Sequence, residues 1–177
     1  MTWRAFIPVV AFSALVVLLA LGLRQDPTRL PSPFIGKPAP KLDLPTLEDP
    51  AKRVTNADFA NRTVLVNVWA TWCVECRREH PFLLELSRSQ TIPIFGIDWR
   101  DTPDDARLWL QQLGDPYVDS GDDRDGRTGI DWGVYGAPET FLIGPDGKVL
   151  HKQIGPLSPQ IWERDFVPLI KAQEPGS

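Results

Sequence analysis

The stretch Val64-Leu65-Val66-Asn67-Val68-Trp69-Ala70-Thr71-Trp72-Cys73-Val74-Glu75-Cys76 decides the fold. Val64 to Ala70 is a near-continuous apolar run, as suits a central strand covered on both faces. Two cysteines follow at once. From Cys76 to Ser89, Phe82, Leu83 and Leu86 fall at helical spacing, so a helix opens at the cysteines, with Pro81 inside it as an expected kink. This arrangement has a chemical use. A thiolate is the nucleophile of thiol–disulfide exchange, and the amides of a helix N-terminus lower the pKa of a thiol placed there. Cys73 is therefore expected to be the exposed, attacking sulfur. Cys76, one turn inside, is expected to resolve the mixed disulfide.

The chain has these two cysteines and no others. Two are too few for a disulfide framework. Their ring is short and its closure removes little chain entropy, which makes a purely structural bridge the poorer reading. Covalent haem attachment needs histidine directly after the second cysteine, where Arg77 stands. Zinc could draw on Cys73, Cys76, His80 and His151, but no second cysteine pair exists and His80 directly precedes Pro81. Redox chemistry is the reading adopted. No metal and no separate cofactor are expected, the Cys73–Cys76 pair carrying the electrons itself.

Outward from the pair, Ile92 to Asp98 reads as a second apolar strand. Asp101-Thr102-Pro103-Asp104-Asp105 opens a helix with a capping side chain, proline in the first turn and acids at the positive dipole end. That helix should run to about Leu113 and stop at Gly114. Asp119 to Gly129 is acidic and glycine-containing, and reads as a loop. Asp122-Asp123-Arg124-Asp125-Gly126 resembles a calcium loop only superficially, because the first and last ligand positions would be Gly121 and Trp132. Thr140–Ile143 and Val149–Ile154 flank a Gly-Pro-Asp-Gly-Lys turn and read as a hairpin. Ser158-Pro159 opens a last helix ending near Lys171. On the other side, Lys41 to Leu47 could begin the domain as a strand. Strand, helix, strand, helix, hairpin and helix imply a mixed sheet with helices on both faces. Trp72 is expected as an exposed contact beside Cys73. Trp69, Trp99, Trp109, Trp132 and Trp162 are expected in or near the core.

The chain has 177 residues, 42% of them apolar, and a formal net charge of −4. That supports one folded domain with an appendage and leaves no basic footprint for nucleic acid. The appendage is Ala5 to Leu23, a run without charge that would be about 28 Å long as a helix, close to a bilayer's hydrocarbon thickness. It is read as an uncleaved transmembrane anchor. The alternative is a signal peptide cleaved at Ala20-Leu21-Gly22. Residues 1–4 would be the cytoplasmic N-terminus, with Trp3 at the interface, although Arg24 and Arg29 leave the charge rule undecided. Residues 24–40 read as a proline-rich linker, residues 41–172 as the domain and residues 173–177 as a flexible tail.

The segment Val66 to Cys76, with Pro81 following, resembles the active-site strand and kinked helix of the thioredoxin superfamily. Gly133-Val134-Tyr135-Gly136-Ala137-Pro138-Glu139-Thr140-Phe141-Leu142-Ile143 is similar to a segment of the cytochrome c biogenesis thiol:disulfide interchange proteins, the CcmG/DsbE family. The similarity covers approximately Phe34 to Lys171. It implies a thioredoxin-like α/β fold, a mixed β-sheet flanked by helices, with an N-terminal transmembrane helix. Pro138 should be a cis-proline facing the cysteines, with Ala137 offering its backbone to an extended substrate segment. Tyr135 either lines that groove or packs.

Two departures from the superfamily pattern stand out. Asn67 replaces a common buried aspartate, and an amide cannot accept a proton. Glu75 and Glu139 then become the candidate acids near the sulfurs. Negative charge there raises a thiol pKa and opposes a strongly oxidising pair. Glu75 has the alternative role of an exposed helix-start acid. Second, Val74-Glu75 stands between the cysteines where a proline-containing pair is common, which leaves the potential open. The resemblance implies a protein-disulfide reductase, single-pass in a bacterial inner membrane with its domain in the periplasm. Its partners would be apocytochrome c or its maturation proteins, and a membrane electron donor of the DsbD or CcdA type. The rivals are a general periplasmic reductase of TlpA or ResA type and a docking module with a structural cysteine pair.

Overall fold

The computed structural model describes residues 6–22 and 33–173. The chain divides into two units, Met1–Leu30 and Pro31–Ser177. In the first unit, α1 (Ile7–Gly22) is a helix of 16 residues with no polar face and no buried residue. It is shorter than the expected span from Ala5 to Leu23, whose two end residues lie outside the described ones. Among the described residues no helix is long and apolar enough to cross a membrane. Trp3, Arg4, Arg24, Arg29, residues 24–32 of the expected linker and residues 174–177 of the expected tail also lie outside the described residues.

The second unit is built on β3 (Val64–Trp69), the fully buried run quoted above. It follows a hairpin of β1 (Asp43–Pro45) and β2 (Arg53–Thr55) and a 3-10 turn over Asn56–Phe59. Beyond β3 come α2 (Val74–Arg88), β4 (Ile94–Trp99), α3 (Pro103–Leu113), β5 (Asp119–Asp123), α4 (Arg127–Asp131), β6 (Glu139–Ile143) and β7 (Val149–Ile154). The five-stranded sheet has the order β5-β4-β3-β6-β7. β4 runs parallel to β3 and β5 parallel to β4, while β6 and β7 are antiparallel to their neighbours. The expected mixed sheet is therefore present.

Strand alternation sorts the core into two faces. Val64, Val66, Val68, Phe95, Ile97 and Phe141 pack on one side with Leu42, Phe59 and Trp132. Leu65, Ile94 and Leu142 pack on the other with Leu83 and Leu86 of α2 and with Trp162 and Phe166. The expected core tryptophans are all buried.

Several expectations need correction. The acidic segment Asp119 to Gly129 is not a loop, because β5 lies within it and α4 begins in it. Its side chains carry no hydrophobic signal, and backbone pairing with β4 makes the strand. Gly121 lets Leu44 and Val54 lie directly over β5, since a Cβ there would meet Leu44 Cβ at 2.7 Å. The Asp123 carboxylate accepts from Thr128 N (3.0 Å) and Gly129 N (2.8 Å), so it caps α4 and is not free for calcium. Residues 33–40, expected as linker, are tied to the domain. Gly36 N donates to Val149 O at 2.8 Å and Ala39 N to Gly147 O at 2.9 Å. The final helix is not uniform. α5 (Pro159–Ile161) passes through a π-helical stretch, Trp162–Phe166, into α6 (Val167–Lys171). Pro168 has no N–H for the ordinary ladder, and the wider π turn accommodates it.

Candidate active site

β3 delivers the chain to Cys73, which is the N-cap of α2 in extended backbone conformation. Its sulfur accepts the N–H of Cys76 at 3.0 Å. The cysteines are joined as a disulfide, with Cα atoms 5.3 Å apart. Cys73 was expected to be open, yet it is 5% exposed, against 2% for Cys76. Both sulfurs sit in a cluster with Trp69, Ala70, Ala106, Trp109 and Leu110, and Ala137 packs against it. Crowding by these groups leaves only the edge of Cys73 open. α2 then runs on through Pro81 to Arg88 without breaking.

The antiparallel register pairs Val68 with Glu139, which brings the Ala137–Pro138 bond to the end of β3 beside the cysteines. That bond is cis, the isomer the resemblance implied. Pro138 O accepts from Gly155 N at 2.9 Å. Trp72 forms the exposed rim at 54%. It is not loose, because its Nε1 donates to Arg100 O at 3.1 Å and its ring lies 6.0 Å from that of Trp99.

The two acids expected beside the sulfurs do not serve there as free charges. Glu75 is an exposed first-turn acid whose Oε1 accepts from Arg78 at 2.5 Å, the helix-start alternative. Glu139 is fully buried and lies 2.9 Å from the Lys152 ammonium. Thr140 faces Asn67 across the strands, so alternation turns Glu139 to the opposite face of the sheet from α2. Tyr135 is 65% exposed, with its ring over Lys152 Nζ at 4.5 Å.

The buried acid on the α2 face is Glu79, which the sequence reading missed. Its Oε1 accepts from Asn67 Nδ2 at 2.9 Å and its Oε2 from Leu157 N at 2.6 Å. Burial raises its pKa to about 7, against the pull of those two donors. Asn67 also donates to Thr140 Oγ1 (3.1 Å) and accepts from the Tyr117 hydroxyl (2.8 Å), so the amide occupying the usual aspartate position holds a carboxyl from the neighbouring helix. Glu79 lies three residues after Cys76 on one helical face. A charged residue on the buried stripe shared with Leu83 and Leu86 was the signal available in the sequence.

Asp98, at the end of β4, was also missed as an ionisable group. It is buried, and neither carboxyl oxygen has a hydrogen-bond partner among the described residues. Burial, aided by Asp101, Asp122 and Asp123, raises its pKa to about 8. The histidines weighed for zinc are otherwise engaged. His80 Nε2 lies 2.9 Å from Gly114 O, and the His151 ring is edge-on to Phe166 at 4.9 Å.

Residues 34–167 match the Redoxin family. The thiol:disulfide interchange protein DsbE of Allochromatium vinosum is 44% identical over 173 residues, 98% of this chain and 96% of that protein. DsbE of Pseudomonas aeruginosa is 46% identical over 165 residues, 93% and 91% of the two chains. In fold, the chain is similar to the solved secreted thiol-disulfide isomerase of Corynebacterium glutamicum. The TM-score is 0.67 at 22% identity, over 75% of this chain and 85% of that one. With a cysteine pair capping a helix beside a cis-proline and relatives matched along nearly its whole length, the chain belongs to the Redoxin family and, within it, to the DsbE thiol:disulfide interchange proteins, which are thiol–disulfide oxidoreductases.

Proposed function

We propose that this chain is a membrane-anchored reductant of cytochrome c maturation, working on the periplasmic side of a bacterial inner membrane. Its substrate would be the disulfide of an apocytochrome c Cys-X-X-Cys-His segment, or of a maturation protein carrying that segment. The observation that carries the reading is the placement of Cys73 Sγ on the Cys76 amide in the first turn of α2, with the Glu79 carboxyl, its pKa raised to about 7, one turn further along the helix.

The reduced Cys73 thiolate attacks the substrate disulfide. A Cys73–substrate bond forms, the substrate S–S bond breaks, and the second substrate sulfur leaves as a thiolate and is protonated. Cys76 then loses its proton and attacks Cys73 Sγ, expelling the first substrate sulfur. Two electrons pass from the pair to the substrate, whose two sulfurs end as thiols with one proton released by Cys76 and one taken from solvent. Glu79 is poised to take the Cys76 proton at neutral pH. Its charge, once formed, disfavours a neighbouring thiolate and so favours the oxidised pair, which is the reducing direction. This replaces the part sought in Glu75 and Glu139. No bound cofactor is needed. A membrane dithiol donor of the DsbD or CcdA type would return the electrons. The apolar run Ala5 to Leu23 would tether the domain, since a helix apolar all round is suited to lipid.

Replacing Cys76 with Ala should trap covalent mixed disulfides with apocytochrome c or its maturation proteins. Absence of any trapped partner, together with normal cytochrome c maturation in a Cys73→Ala strain, would falsify the proposal. Capture of many unrelated envelope proteins would instead indicate a general reductase. Fractionation tests the tether: release of a shortened soluble protein would mean cleavage.

A further inference from the structure

We infer that Lys152 is a positioning residue for substrate binding. Its buried pairing with Glu139 holds the Gly133–Pro138 loop, with its exposed Tyr135 ring, in the shape that receives a peptide disulfide. The Lys152 side chain is 3% exposed and that of Glu139 is 0% exposed. The ammonium donates to Gly133 O at 2.7 Å, where the loop begins. It lies 2.9 Å from Glu139 Oε2, where the loop ends. The other carboxylate oxygen, Oε1, accepts from Tyr135 N at 2.9 Å, in the loop's middle. Nζ also sits over the rings of Tyr135 (4.5 Å) and Phe141 (5.1 Å). One cation thus ties the start, middle and end of the segment that carries the cis-proline.

The geometry follows from the sheet. Lys152 is the register partner of Phe141, and Glu139 is its diagonal neighbour on the same face. A long side chain from β7 can reach across β6 to the loop beyond it. A buried ion pair contributes little net stability compared with apolar residues of similar volume. Placing one under this loop is better explained by what it orients. Ammonium–ring contact leaves the Tyr135 ring in one pose while most of the residue stays open to a partner. The inference rests on thiol–disulfide exchange at Cys73, and not on which protein supplies the disulfide.

The test uses the full-length reduced chain and two oxidants. One is a disulfide-bonded synthetic Cys-X-X-Cys-His peptide, which must lie along the loop. The other is a small aromatic disulfide, dithiobis(nitrobenzoic acid), which needs only the sulfur. In Lys152→Met, the peptide concentration for half-maximal rate should rise roughly tenfold. The maximal rate and the small-disulfide rate should change far less, and Lys152→Arg should recover most of the loss. Should the lone buried carboxylate prevent folding, the Glu139→Gln/Lys152→Met double variant removes both charges and should show the same split. Tyr135→Leu, at an exposed position, should also weaken peptide use selectively. Equal losses with both oxidants, or peptide use as in the parent by a folded Lys152→Met or double variant, would overturn the inference.

Discussion

Glu79 lies one helical turn beyond Cys76 with its carboxyl shut away from water, and two consequences follow at this residue. An ordinary glutamate ionises near 4.5, whereas Glu79 keeps its proton to about 7. Between those values the unfolded chain has lost a proton that the folded chain still holds. The associated stability is therefore fully present below the unfolded pKa and is lost as pH rises through 7, by at most about 3 kcal/mol. Glu79→Gln should flatten that decline, read as the difference between urea unfolding at pH 5 and at pH 8. An unchanged difference would remove Glu79 from the account. Asp98 acts with the same sign and a higher midpoint, about 8. Asp98→Asn should gain stability relative to the parent between pH 7 and pH 9, measured by thermal unfolding. No relative gain would mean that the buried carboxyl bears no such penalty. The stripe of Leu83 and Leu86 marks Glu79 as facing inward, but the size of either residue's shift could not be read from its neighbours in the chain. What perturbs each is the other strand or helix that folds over it.

At the scale of elements, the readable parts were those whose burial leaves a pattern. β3 and β4 are apolar runs interrupted only by Asn67 in the first and by Gly96 and Asp98 in the second, α2 and α3 carry helical spacing with caps, and the β6–β7 hairpin is marked by its turn. β5 was unreadable because Asp119-Ser120-Gly121-Asp122-Asp123 gains its place through its backbone. Leu47 N donates to Ser120 O at 2.8 Å from the segment after β1, so even this edge strand is partly covered. Gly121→Val should be costly here despite valine's preference for strands, because Leu44 and Val54 occupy the space. A loss of about 1–3 kcal/mol in chemical denaturation is expected, and a neutral result would show that the β1–β2 hairpin moves aside easily. The π-helical stretch before Pro168 was hidden for another reason. A proline signals that the ladder must give way, but packing decides whether the helix breaks or widens.

For the whole molecule, the separation into Met1–Leu30 and Pro31–Ser177 carries its own expectation. A fragment spanning 31–177 should fold with an unfolding temperature close to that of the full chain and keep disulfide exchange with a small oxidant, while lacking the run proposed as the membrane tether. A large fall in its thermal midpoint would show that the first unit supports the domain. Family resemblance alone implied the cis Pro138 facing the pair; by itself the sequence determined the exchange chemistry, the central strand and the helix that opens at Cys73. These follow from local pattern, since hydrophobic period, capping and cysteine spacing are all short-range. Tertiary structure alone decided which acid is buried on the helix that carries the cysteines. Glu75 was near them in the chain and Glu139 near the cis-proline, yet one is drawn to Arg78 on the surface and the other to Lys152 across the sheet. Glu79 takes the position because α2 lays it against Asn67 of β3 and Leu157 N beyond β7. A proton site is made by desolvation and by donors from distant parts of the chain, and neither is written in local sequence.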